Sequence, residues 1–112
     1  MDKIDKYRKV LIDVLNSYVK PRKIQPDGIE TIFLADTKND HYQVLFSGWK
    51  GIQQVFLVVF HFDIKDSKIW MQQNNSDYDI IEDIEAQGIP KSDIVLGIHS
   101  PQMRPFTDYA VA

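Results

Sequence analysis

Apolar positions along this chain follow a helical spacing first, a strand-like spacing through the middle, and a short helical spacing again near the end. From Lys3 to Val19, the residues Ile4, Tyr7, Leu11, Val14, Leu15 and Tyr18 recur at intervals of three and four, which draws one stripe along a 3.6-residue helix. Asp2 is placed to cap this helix and Asp5 lies in its first turn. Pro21 ends it, because the prolyl ring has no N–H and clashes with the turn before it. Pro26-Asp27-Gly28 marks a turn. Four runs with strand character follow, at residues 29–36, 41–48, 52–64 and 69–74. The second sets Tyr42, Val44 and Phe46 against Gln43 and Ser47, a period of two. The third is the longest and most apolar, which predicts a central strand covered on both faces. Short polar turns join consecutive runs, with Trp49-Lys50-Gly51 one of them, so antiparallel hairpins are expected.

A second helix is predicted over residues 78–87. Asp79, Glu82 and Asp83 sit in its early turns, where the helix dipole favours negative charge. Ile80, Ile81 and Ile84 form its apolar side, and Gly88 suits the position just past its end. Residues 94–98 form a short candidate strand, with irregular structure expected beyond Pro101. The tail carries Phe106, Tyr109 and Val111, which predicts a C-terminus docked on the domain. The architecture implied is α+β: one domain over residues 1–112, an antiparallel sheet with helices packed on one face.

Composition narrows the functional classes. No cysteine is present, so disulfide frameworks and thiolate zinc sites are excluded. The longest apolar run, residues 55–60, is too short to span a bilayer, and the first residues mix charges without an apolar signal core. A soluble cytoplasmic protein without membrane association is expected. The net charge is −3, which disfavours a free-standing DNA reader, since such domains neutralise phosphates with a basic face. The one basic cluster, Lys20, Arg22 and Lys23, is a candidate DNA contact; its simpler reading is a solvated loop after a helix.

Three constellations could carry chemistry. His61 and Asp63 share one face of a strand and could act as base and orienter or as part of a metal site, but no further ligand sits at a telling spacing. The simpler reading is a hydrogen-bonded pair at a strand end. Asp27 followed by Asp63 and Lys65 loosely matches the two-acid-and-lysine layout of magnesium-dependent nucleases, although Asp27 and Lys65 both read as turn residues. Asp93, His99 and Arg104 gather near the C-terminus, where His99 and Arg104 could present donors to an anion or a partner carboxylate. The simpler reading has Asp93 capping a turn, Arg104 pairing within the chain and His99 bound to local backbone. Trp49 and Trp70 fall at strand ends, where aromatics close cores or anchor interfaces. No catalytic set or metal site is complete, and no cofactor is implied.

The segment Gly88-Ile-Pro-Lys-Ser-Asp-Ile-Val-Leu-Gly-Ile-His99, with Pro101, Arg104 and Thr107-Asp-Tyr-Ala-Val-Ala112, resembles the ending of the XisI family, the fdxN element excision controlling factors of cyanobacteria. Asp40-His-Tyr-Gln43, Gly48-Trp-Lys-Gly51, His61-Phe-Asp-Ile64, Lys68-Ile-Trp-Met-Gln72 and the opening helix resemble it in the same order. The chain departs from the pattern at Gln54 and Phe56, where the family has an Arg and a His, and at Gln73-Asn-Asn-Ser-Asp77, in place of an acidic turn. The resemblance implies an accessory protein that controls programmed DNA excision without catalysing it, strand exchange belonging to a separate recombinase on DNA. It also implies a companion protein of the XisH type as partner. Self-association is expected from the sheet edge and the two tryptophans.

Overall fold

The computed structural model describes residues 2–112. Helix α1 spans Lys3–Val19, and Asp2 caps it by accepting a hydrogen bond from the Asp5 amide at 2.8 Å. Four strands follow: β1 (Glu30–Asp36), β2 (His41–Lys50), β3 (Gln53–Lys65) and β4 (Lys68–Asn74). Helix α2 (Ile80–Ala86) starts at Asp79, whose side chain accepts from the Glu82 amide, and leads to β5 (Ile94–Leu96). The strand order is β1-β2-β3-β4-β5.

The first four strands pair as successive antiparallel hairpins, but β5 joins β4 in parallel. The sheet is therefore mixed. A parallel neighbour requires a crossover, and α2 supplies it between β4 and β5. Both helices lie on the same face, where Leu11, Leu15, Ile80 and Ile84 pack with Tyr42, Val44, Phe60 and Phe62, all sealed from solvent. Arg8 on α1 grips Asp40 in the turn before β2, with Nε to Oδ1 at 2.8 Å and the second guanidinium nitrogen to Oδ2 at 3.1 Å. Those hydrogen bonds hold the Asp40 carboxyl below the usual aspartate range.

The β2–β3 turn is narrower than the sequence suggested. Trp49 and Lys50 belong to β2, and the turn is Gly51-Ile52, with Gly51 at φ +59° in the left-handed region that favours glycine. Strand β3 is also not covered on both faces along its length. On the helix side its second half is core, but Leu57 is exposed because the helices do not reach that end of the hairpin, and Phe56 is exposed on the opposite face.

Two bulges set which residues face where. Between Val44 and Leu45 the partner on β3 jumps from Phe60 to Val58, leaving Val59 as the extra residue; between His61 and Phe62 the partner on β4 jumps from Gln73 to Met71, leaving Gln72 extra. Each inserts one residue and reverses the alternation beyond it.

Candidate functional site

The face of β1–β3 turned away from the helices carries a cluster of histidine and carboxylate. His41 opens β2 directly opposite Asp63 on β3, and His61 lies two residues before Asp63 on the same face. His41 Nδ1 stands 2.6 Å from Asp63 Oδ1, and His61 Nε2 stands 2.8 Å from that same oxygen. His61 Nδ1 meets Gln43 Oε1 at 2.7 Å, and Gln72 donates through Nε2 to Asp63 Oδ2 at 3.3 Å. Burial pushes the Asp63 carboxyl upward, but the hydrogen bonds from His41 and His61 outweigh it and hold the group below its ordinary value. The bond to Asp63 raises the His41 imidazole in turn. Beside the cluster lies a recess of about 260 Å³, bordered by Leu34, Ala35, Asp36, His41, Gln43 and His61.

His61 and Asp63 thus form the hydrogen-bonded pair that the strand period predicts, with His41 as a third member that sequence reasoning missed. A regular hairpin closing at Lys50 and Gln53 would set Asp40 opposite Asp63. The extra residue Val59 moves the register by one and sets His41 there. The only signal in the sequence was His41 itself at a strand start, and no local pattern reports the bulge.

The nuclease layout does not assemble. Asp27 accepts from the Ile29 amide and lies 3.6 Å from Lys50, at the end of β2 opposite His41. The length of β2, about 30 Å at strand rise, separates Asp27 from Asp63. One cation cannot bridge them. Lys65 ends β3 with its ammonium over the Trp70 ring, 4.1 Å from the centroid.

The C-terminal constellation divides. Asp93 faces α1, where it accepts from the Tyr7 hydroxyl and pairs with Lys3 at 3.0 Å. Arg104 lies over Trp70, 5.3 Å from the ring centroid, and donates through Nε to the His99 carbonyl at 3.1 Å, while the His99 side chain stays exposed. The tail docks as expected, but of the three residues that predicted it only Tyr109 is an anchor. Phe106 and Val111 are exposed; the anchors are Ala110, whose amide donates to Ile94 O, and Tyr109, which donates to Glu85 at 2.8 Å. Trp70, beneath Arg104, is buried. In the basic cluster, Lys20 and Lys23 are exposed, whereas Arg22 stacks on Tyr18 at 4.2 Å and donates to its carbonyl.

A second feature of the open face is apolar. Leu34, Trp49 and Phe56 are 48%, 60% and 66% exposed, and their registers (Leu34 with Gln43, Trp49 with Gln54, Phe56 with Ser47) place all three on the side that carries His41 and His61. Ile52, at the hairpin tip, is fully exposed.

Comparison with known proteins gives a consistent answer. No curated protein matches the chain. Among solved structures, a XisI-like protein from Anabaena variabilis is 39% identical, covering 97% of this chain and 99% of that one, with a TM-score of 0.90. The fdxN element excision controlling factor XisI from the same organism is 30% identical, covering 99% and 100%, with a TM-score of 0.87. The profile described as XisI protein matches residues 1–111. The likeness holds over the helices, the mixed sheet and the docked tail together, and the chain belongs to the XisI family.

Proposed function

We propose that this chain is a non-enzymatic, cytoplasmic accessory factor in the control of DNA element excision, and that it acts by docking a companion protein of the XisH type. The observation that carries the reading is the open face of β1–β3, where Leu34, Trp49 and Phe56 stand exposed together on the side of the sheet opposite the helices. Isolated exposed apolar residues are ordinary, but aromatic side chains sharing one face are what interfaces bury. Gln54 and Phe56, the two positions where this chain departs from the family pattern, lie on that same face. A change of this surface from Arg and His to an uncharged Gln and Phe fits a copy tuned to its own companion. The separation of Asp27 from Asp63 removes the two-carboxylate arrangement a nuclease of that class requires.

Co-expression with the companion followed by size-exclusion chromatography tests the reading. A single co-eluting peak that splits in the Phe56→Asp variant is expected. Two independent peaks for the unmodified pair at micromolar concentration would overturn it.

Self-association is a second reading, favoured by one observation. Strand β1 lies at the edge of the sheet, and from Ile32 to Asp36 its outer side has no strand partner among the described residues. Light scattering at the mass of a monomer would remove this reading and leave the first untouched.

A further inference from the structure

We propose that His41, His61 and Asp63 form a binding site for a divalent first-row transition ion, zinc foremost. The three residues each offer a ligand atom, and these atoms lie within 4.8 Å of one another. Two imidazoles and one carboxylate are the ligand types that zinc and its neighbours select, whereas magnesium and calcium call for a shell of oxygens that this cluster lacks. The inference concerns ion binding alone and stands apart from the partner reading.

The hydrogen bonding around the cluster favours a cation at its centre. His41 Nδ1 and His61 Nε2 both aim at the single oxygen Asp63 Oδ1. When His61 donates its Nδ1 proton to Gln43 Oε1 at 2.7 Å, its Nε2 turns a lone pair toward that oxygen. Two lone pairs at 2.8 Å need a positive centre between them, either a proton or a metal ion. The contact from Gln43 is the kind of outer contact that fixes the tautomer of a ligating histidine, and Gln72 on Asp63 Oδ2 holds the carboxylate in the same way.

The geometry is close to that of a bound ion. Tetrahedral zinc with bonds of about 2.0–2.2 Å keeps its ligand atoms about 3.4 Å apart. The two nitrogen–oxygen distances of 2.6 and 2.8 Å therefore need to open by roughly 0.6–0.8 Å, a change that side-chain rotation supplies without moving the strands. His41 is half exposed and the recess lies alongside, so a fourth ligand can come from water. Three protein ligands with one position open is the pattern of non-structural zinc sites.

Cobalt(II) and zinc are the probes. Titrating the chelator-stripped full chain with Co²⁺ is expected to give visible absorption bands that saturate at one ion per chain, with the same stoichiometry for Zn²⁺ by calorimetry. Asp63→Ala and His61→Ala should weaken binding by at least about 100-fold and Gln43→Leu by about 10-fold, while His99→Ala, at the one remaining histidine, leaves it unchanged. Should the Asp63 or His61 variants fail to fold, imidazole nitrogen resonances of the unmodified chain decide: Zn²⁺ is expected to shift those of His41 and His61 and spare that of His99. Absence of saturable binding, equal shifts at all three histidines, or undiminished binding in folded His61→Ala would each overturn the site.

Discussion

Phe56 and Phe60 lie four residues apart on strand β3, a spacing that puts both on one face of a regular strand. Instead Phe60 is sealed under the helices and edge-on to Tyr18 at 5.0 Å, while Phe56 stands 66% exposed on the opposite side. The bulge at Val59 is the cause. One inserted residue gives the same strand a core half and an outward apolar half, and it also carries His41 into register with Asp63. Binary patterning is thus obeyed within each half and broken between them. The break falls where the stabilising face gives way to the face proposed to bind.

Perturbing the two phenylalanines should expose that division most sharply. Phe60→Ala empties a packed position and is expected to cost about 3–5 kcal/mol, whereas Phe56→Ala should stay within about 0.5 kcal/mol. Urea denaturation of both variants checks the pair, and equal losses would mean the open face is packed after all. Gly97→Ala probes the other edge of the sheet, just past β5, where the chain runs close to β4. A Cβ there would lie 2.4 Å from Gln72 Oε1, at the end of a side chain that can turn away, and 3.1 Å from the Met71 carbonyl, so a loss of about 1 kcal/mol, the low end for overpacking, is expected, read as a lowered urea midpoint.

Acid sensitivity offers a third contrast, on the covered side. Burial pushes the Asp93 carboxyl upward, but the hydrogen bonds from Tyr7 and Lys3 prevail and lower it below the ordinary value. A lowered folded value means that the contribution is fully present above the unfolded value of about 3.9 and is lost as pH falls through the folded one. Asp93→Asn should therefore lower stability near neutral pH and flatten its decline below about pH 4, measured by thermal melts across that range. An unchanged acid slope would show that Asp93 is not part of it. The smallest effect belongs to the exposed pair Lys9 and Asp13 on α1, at 2.8 Å. Lys9→Ala should change stability by no more than about 0.5 kcal/mol, less at high salt.

How much of this was legible in the chain follows from range. Helix α1 is bounded as predicted, at Lys3–Val19, because its stripe, its Asp2 cap and the Pro21 stop all act within a few residues. The predicted hairpins are present with ends shifted by a residue or two, as at Trp49 and Lys50, since a strand end depends on its partner. In the tail the sequence identified docking and one of its anchors, Tyr109. Hydrophobicity pointed to Phe106, Tyr109 and Val111, whereas the tail is tied down by backbone pairing at Ala110 and by the Tyr109 hydroxyl on Glu85, with Phe106 and Val111 left exposed. His61 with Asp63 could be read from a period of two; His41 could not.

The amino-acid order alone was enough for the α+β class, the helix boundaries of α1, the succession of strands and the XisI family, because propensity, capping and apolar period are local and family motifs are linear. Folding decided the rest: the parallel seat of β5, the bulge at Val59, the meeting of His41 with Asp63, and the division of the sheet into a covered face and an open one. Each of these depends on which residue lies opposite which across a sheet. That register is chosen by the packing of the whole chain, and no stretch of it encodes the choice by itself.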